Sequence, residues 1–196
     1  MADKKNICVY CASSTPRDAR LLDLARDLGA LIAKRGYGLV YGGANVGLMR
    51  EVALSVLQGG APVCGVIPGM LNKREASSLP LTEIHHVKTL TERKVLMASK
   101  SCAFVALPGG IGTMDELCEC LDWSHLGQHR CPVIIYNAFG YYDKLLEFFD
   151  GAVQAGFMTP NFRQSIIAVN SLEEVFKAIE SYIAPALPTW LQLDEE

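Results

Sequence analysis

Short apolar runs alternate with stretches of helical spacing from one end of the chain to the other, and nothing else in the sequence restricts the fold as tightly. The runs predict strands at 6–12, 37–41, 62–67, 102–107, 132–136 and 166–169. Between the first two, Leu21, Ala25, Leu28 and Ile32 recur at helical spacing, and Gly36 stops the pattern. Met49, Val52, Ala53 and Val56 mark a second helix that ends at Gly59-Gly60, and further helices are predicted over about 89–100, 112–124, 140–155 and 171–184. Such alternation is the pattern of βαβ units, whose crossover helices cover a parallel sheet. The expected fold is α/β: a single-domain, Rossmann-like, doubly wound parallel sheet with helices on both faces. A length of 196 residues suits one domain, 1–196, with a core over about 5–185 and a loose tail at 186–196. Half of the residues are apolar and a fifth charged, which fits a sheet buried on both faces and leaves apolar surface for a subunit interface.

A net charge of −3 supplies no broad positive field, so no nucleic-acid partner is expected and any phosphate must be held locally. The opening residues, Met1 to Cys11, carry no apolar run of signal-peptide length, and no stretch of about 18 uninterrupted apolar residues follows. The expectation is a cytoplasmic protein with no membrane partner. Seven cysteines is an odd number, and Cys8, Cys11, Cys64, Cys102, Cys118 and Cys120 sit in apolar patterns where a thiol acts as a small hydrophobe. Cys8 and Cys11 have C-x-x-C spacing, but inside a strand a three-residue offset sends the side chains to opposite faces. His85 and His86, adjacent on a short strand, also face opposite ways, and Gly127 interrupts the helix that would pair His125 with His129. No metal is expected.

In an open parallel sheet, ligands bind outside the carboxyl ends of the strands, so the loops that leave the strands are the places to search. The strand at 102–107 runs into Pro108-Gly109-Gly110-Ile111-Gly112-Thr113 and straight on into a helix. Glycines there let the backbone approach an anion, the helix start offers unpaired N–H groups and the positive end of the dipole, and Thr113 adds a hydroxyl. A Walker loop would need a Lys-Ser or Lys-Thr pair that is missing here. The turn at Tyr41-Gly42-Gly43-Ala44-Asn45-Val46-Gly47 is a weaker glycine signal. The first turn, Cys11-Ala12-Ser13-Ser14-Thr15-Pro16, lacks the G-x-G-x-x-G of dinucleotide binding, which disfavours NAD and FAD and favours a mononucleotide. The irregular segment Gly69 to Leu81, which holds Glu75, is expected to be a functional loop or lid.

Glu116 follows Thr113 by three residues on the same helical face, a rise of roughly 4.5 Å, comparable to the reach from a 5′-phosphate to the sugar ring. Alone, a first-turn glutamate merely complements the helix dipole. Behind this glycine loop it becomes a candidate for chemistry on the sugar. Arg93 and Lys94 precede the phosphate-loop strand on their own helix, with Met97 one turn on. Taken singly, these residues, Glu75 and Asp122 would be ordinary surface or core positions.

Arg93-Lys94, then Pro108-Gly109-Gly110-Ile111-Gly112-Thr113-Met114-Asp115-Glu116, then Trp123 with Leu126-Gly127, together resemble the LOG ("Lonely Guy") family of cytokinin-activating phosphoribohydrolases. The likeness runs over about residues 5–182, with Gly42, Gly43, Gly47-Leu48-Met49 and Ile67-Pro68 in the expected order. Members of that family have often been labelled lysine decarboxylases, but this chain shows no pyridoxal-phosphate motif. The resemblance implies that Arg93 and Glu116 form a catalytic pair and that Gly109, Gly110, Ile111, Gly112 and Thr113 hold the 5′-phosphate. It further implies that Lys94, Met97 and Glu75 line the nucleotide site, with Gly42, Gly43, Ser13 and Asp122 as further substrate-binding candidates. It implies a homodimer with the site near the subunit interface, and no cofactor. Ala44, Arg50, Leu90-Thr91 and Asp122 depart from the family pattern, leave the phosphate loop intact and bear on base preference.

The implied reaction is hydrolysis of the N-glycosidic bond of an N6-substituted adenosine 5′-monophosphate. Positive charge builds on the sugar, so a carboxylate at Glu116 stabilises the transition state more than the ground state. Arg93 is expected to keep that carboxylate ionised and aimed. Asp122 and Glu119 are the candidates for protonating the leaving base. A carrier that binds nucleotide without hydrolysis, and a general hydrolase of AMP-like nucleotides, are the alternatives. Retention of both Arg93 and Glu116 speaks against the carrier.

Overall fold

The computed structural model describes residues 5–69 and 79–186. Seven parallel strands form one sheet: β1 (Asn6–Tyr10), β2 (Gly38–Tyr41), β3 (Val63–Pro68), β4 (Glu83–Val87), β5 (Ala103–Ala106), β6 (Val133–Tyr136) and β7 (Ile167–Val169). Their spatial order is β4-β3-β2-β1-β5-β6-β7. The chain thus builds outward from β1 in one direction and returns to lay β5 against the other side of β1, pairing Ile7 with Ala103 and Tyr10 with Ala106. The order reverses between β1 and β5, and the crevice above their carboxyl ends is where such a sheet accepts a ligand.

The helices among the described residues are α1 (Arg20–Lys34), α2 (Gly47–Gln58), α3 (Leu90–Ser99), α4 (Ile111–His125), α5 (Asp143–Gln154), α6 (Pro160–Ser165) and α7 (Leu172–Glu180). Alternate residues of the central strands feed two separate cores. Ile7 and Val9 pack with Leu28 and Ile32 of α1, Val52 and Val56 of α2 and Phe176 of α7. Cys8 and Tyr10 pack with Met97 of α3, Leu117 and Leu121 of α4 and Phe149 of α5. A strand buried on both faces has no polar side, which explains its reading as a continuous apolar run. The α/β doubly wound reading holds, and Cys8 and Cys11 enter opposite cores as expected.

Several boundaries differ from the sequence expectation, each for a local reason. β1 stops at Tyr10 because the Ala12 carbonyl accepts from Leu48 N–H at 3.0 Å, joining the start of α2 instead of a neighbouring strand. β4 is a full strand that the apolar pattern reduced to a short one around His85 and His86; it lies at the sheet edge and is largely exposed, so it lacks an apolar run. The predicted helix at 140–155 begins only at Asp143, since Phe139 and Gly140 both have positive φ, 56° and 71°. The short helix α6, capped by Thr159 and started by Pro160, was not foreseen.

Helix α1 lies close against α2 because Gly29 has no side chain. A Cβ there would stand 2.6 Å from the Val52 carbonyl oxygen and 2.7 Å from Ser55 Cβ. The obstacle is partly backbone, which cannot turn aside as a side chain can. Gly29→Leu is therefore expected to destabilise the protein by about 2 kcal/mol or more. Urea unfolding of the two proteins checks this, and an unchanged midpoint would refute the close packing.

Candidate active site

The crevice between β1 and β5 opens as a cavity of about 630 Å³. Its floor comes from the turn after β1, including Ser13 and Ser14, and from the loop Pro108 to Thr113 that links β5 to α4. Helix α3 contributes Leu90, Arg93 and Lys94, the start of α2 contributes Leu48 and Met49, and the loop after β6 contributes Tyr141.

Helix α4 begins without a side-chain cap and without an acidic residue in its first turn. Its first N–H groups and positive dipole end therefore face the loop undiluted. Gly109 must lack a side chain, because a Cβ would overlap the Thr113 hydroxyl, which is itself nearly buried. The Tyr141 hydroxyl donates to the Gly109 carbonyl at 2.7 Å, and the Tyr142 hydroxyl donates to the Leu107 carbonyl at 2.7 Å.

Arg93 is placed by the first turn of α3, where the Thr89 side chain caps the helix by accepting from Glu92 N–H at 3.1 Å. Its Nε donates to the Val66 carbonyl within β3, 3.1 Å away. Its guanidinium occupies the space over Gly42, where any Cβ would collide with Nη2. From there Nη1 lies 3.4 Å from Glu116 Oε1, with both side chains buried. The contact is an ion pair and not a hydrogen bond, and Glu116 Oε1 has no hydrogen-bond partner among the described residues.

Burial dominates the charge state of Glu116. Loss of water raises its pKa and Asp115 adds to the rise; Arg93 and Lys94 oppose it, and the result is a carboxyl pushed up to about 7. Arg93 faces Glu116 as expected and favours its ionised form, but a 3.4 Å ion pair does not outweigh the desolvation. At neutral pH the group is poised between its two forms, as suits acid–base chemistry. Lys94 is bound on the other side, with Nζ 2.9 Å from Asp115 and 2.8 Å from Glu119. Burial alone would pull its pKa down, yet the bonds to Glu119 and Asp115 leave it above the ordinary value.

Arg93, Lys94, Ser13, Gly109, Gly110, Ile111, Gly112, Thr113 and Glu116 thus meet in one cavity. Gly42 sits behind Arg93, and Gly43, with φ of +77°, packs against Ile67; neither lines the cavity. Met97 does not line it either, because its side chain is fully buried in the core beneath α3. Asp122 is exposed farther along α4, away from the cavity, and Glu119 is committed to Lys94. Glu75 lies outside the described residues, as does most of the segment expected to form a lid. Tyr141 was missed because the helix expected over 140–155 includes it, and the positive-φ break at Phe139 and Gly140 that leaves it in a loop has no clear sequence signal. Away from the cavity, Cys64, Glu83 and His85 approach one another on β3 and β4, where Glu83 is engaged by Lys100 at 3.0 Å and by His85 at 2.8 Å. No described helix is long and apolar enough to cross a membrane.

Residues 49–179 match the family described as "Possible lysine decarboxylase". Over 179 residues the chain is 42% identical to cytokinin riboside 5′-monophosphate phosphoribohydrolase LOG1 of Arabidopsis thaliana, covering 91% of this chain and 84% of that one. It is 43% identical over 179 residues to cytokinin riboside 5′-monophosphate phosphoribohydrolase LOG of Oryza sativa subsp. japonica, covering 91% and 74% respectively. Among solved structures it is similar to the molybdenum cofactor binding protein of the phototrophic bacterium Rippkaea orientalis, with a TM-score of 0.68 at 23% identity over 92% of this chain and 98% of that one. The molybdenum cofactor carrier protein of Chlamydomonas reinhardtii gives 0.66 at 22% identity, covering 90% and 96%. At such identities the structural likeness establishes the fold and nothing of the chemistry.

The raised pKa of Glu116 has a consequence for stability. The folded state binds this proton more tightly than the unfolded chain does, so the stability it contributes is complete at low pH and is lost as pH rises toward and through about 7. Glu116→Gln removes that dependence. The stability of the variant relative to the wild type should therefore rise by about 2–3 kcal/mol between pH 5 and pH 8. Urea melts at the two pH values measure it, and a difference independent of pH would refute the assignment.

Proposed function

The chain belongs to the LOG family of cytokinin riboside 5′-monophosphate phosphoribohydrolases, and from that premise we propose that it hydrolyses N6-substituted adenosine 5′-monophosphates to free base and ribose 5-phosphate. One observation carries the reading to this cavity. A buried carboxylate oxygen with no hydrogen-bond partner among the described residues stands one helical turn above an uncapped, glycine-bounded helix start.

The 5′-phosphate rests on the N–H groups at Gly109 to Thr113 and on the Thr113 hydroxyl. That contact places the ribose beside Glu116. As the glycosidic bond breaks, positive charge spreads over the anomeric carbon and ring oxygen, and the ionised carboxylate stabilises it inside a partly dry cavity. The free Oε1 is available to a ribose hydroxyl or to the attacking water. Arg93 aims the carboxylate while anchored to Val66. Pro16, Leu21, Leu48, Met49 and Leu90 supply the apolar wall for a substituted base. A lysine decarboxylase reading fits poorly: Lys94, the lysine in the cavity, is held protonated by two carboxylates, the reverse of what a Schiff-base lysine needs.

A homodimer accords with the exposed apolar residues on the two helices that border the cavity: Leu90 and Val95 on α3, and Ile111, 89% exposed, at the start of α4. Work in the cytoplasm accords with seven thiols, none in a disulfide.

Incubation with isopentenyladenosine 5′-monophosphate should release base and ribose 5-phosphate in equal amounts by mass spectrometry. Glu116→Gln should lower kcat by 10²-fold or more, and the riboside without phosphate should be a far poorer substrate. In the wild type kcat/KM should climb with pH through about 7 as Glu116 ionises. Nucleotide binding without base release would leave only the carrier. For the dimer, light scattering should give about 43 kDa, twice the 21.4 kDa chain, and Val95→Glu should shift the protein to the monomer mass; a wild-type monomer would refute it.

A further inference from the structure

Two adjacent tyrosines reach from the loop after β6 to the two ends of the Leu107-Pro108-Gly109 segment. Their bonds look alike but control different things. The peptide after Leu107 ends in the proline nitrogen, which has no hydrogen, so the Tyr142 bond fixes a carbonyl with no donor attached. The peptide after Gly109 carries the Gly110 N–H. In a trans peptide the carbonyl and the following N–H point in opposite directions, and the chain contains no cis bond among the described residues. The Tyr141 bond to the Gly109 carbonyl therefore sets the direction of the Gly110 N–H.

That peptide needs an anchor more than its neighbours do. It lies between two glycines, so no Cβ on either side resists rotation of the peptide plane. Gly110 is also the N-cap of α4, with extended backbone and no side chain to hold it. Tyr141 is half exposed and lines the cavity, and its ring meets Tyr142 edge-on at 5.0 Å, which restrains its swing.

We infer that Tyr141 is a positioning residue for the phosphate subsite: its hydroxyl, through the Gly109 carbonyl, holds the Gly110 N–H in the orientation that receives the 5′-phosphate. The inference rests on the phosphate placement proposed above. It predicts a loss in anion binding that is separate from loss of fold or of the chemical step.

The test uses the full chain and ribose 5-phosphate as the probe, with Kd measured by calorimetry. Tyr141→Phe keeps the ring and removes the hydroxyl. It should weaken ribose 5-phosphate about three- to tenfold, as expected for one hydrogen bond. KM for the nucleotide should rise in parallel with kcat within about twofold, and the melting temperature should stay within about 2 °C. Tyr142→Phe is the control. It should lower the melting temperature because its hydroxyl is buried, yet leave the ribose 5-phosphate Kd within about twofold. Unchanged binding in Tyr141→Phe, or equal weakening in both variants, would overturn the inference. A wild type that binds ribose 5-phosphate but releases no base would sink the hydrolase reading and leave the tyrosine comparison standing. A wild type that fails to bind ribose 5-phosphate would overturn both.

Discussion

The contact between Arg93 and Glu116 brings together parts of the chain that are far apart in sequence. Its guanidinium is tied to β3 through the Val66 carbonyl, fills the space left by a glycine at the end of β2, and stands on α3, while its partner stands on α4. A guanidinium taken out of water needs its donors engaged, and those partners exist only when the sheet has its observed order. The pair is thus a product of the whole parallel sheet. Its geometry is also incomplete, for at 3.4 Å it holds the carboxylate in place without satisfying it. A tighter pair would have kept Glu116 ionised and occupied. The looser one leaves an oxygen for a ligand.

The helix starts repeat this contrast between satisfied and unsatisfied polar groups. Thr89, Thr159 and Ser171 cap α3, α6 and α7 with their side chains. α2 has no side-chain cap, but the Ala12 carbonyl takes up Leu48 N–H at 3.0 Å. α4 has neither a capping side chain nor an acid in its first turn. A helix end without such partners normally counts against stability. Here it opens into the cavity at the switch point of the sheet, where the proposed 5′-phosphate would supply what the chain withholds.

Much of this was legible before the structure. The strands facing both cores, the glycine loop from Pro108 to Thr113 at the cavity and the spacing from Thr113 to Glu116 follow from apolar runs, glycines and helical rise. The edge strand β4 was barely legible because an edge needs no apolar face, and the helix break at Phe139 was hidden because a phenylalanine with positive φ leaves no compositional trace. Met97 shows a different limit. Helical spacing from Arg93 put it one turn along the same helix, but a helix between a sheet and a cavity has a core side and a ligand side, and only the packing tells which residue turns inward. Gly42 is the converse case. It was legible as a glycine, but its reason is the side chain of a residue 51 positions later.

In the proposed complex two negative charges share the first turns of α4: the 5′-phosphate at its start and Glu116 one turn on. Like charges this close raise each other's cost, and the helix dipole favours both only in part. The counterweight comes from α3, whose Arg93 and Lys94 both face α4. They are not equivalent. Lys94 is already claimed by Asp115 and Glu119, so its charge is largely neutralised locally. Arg93 has Glu116 as its ion-pair partner, and its Nε alone is bound to a neutral carbonyl. Among the described residues, the cation available to answer both the carboxylate and the proposed phosphate is therefore Arg93. A planar guanidinium, anchored at Nε and with Nη1 toward Glu116, can face a carboxylate without surrendering its proton, which a lysine ammonium in the same buried position does less well. On this argument the arginine is as much part of the phosphate subsite's electrostatics as of the carboxylate's aim.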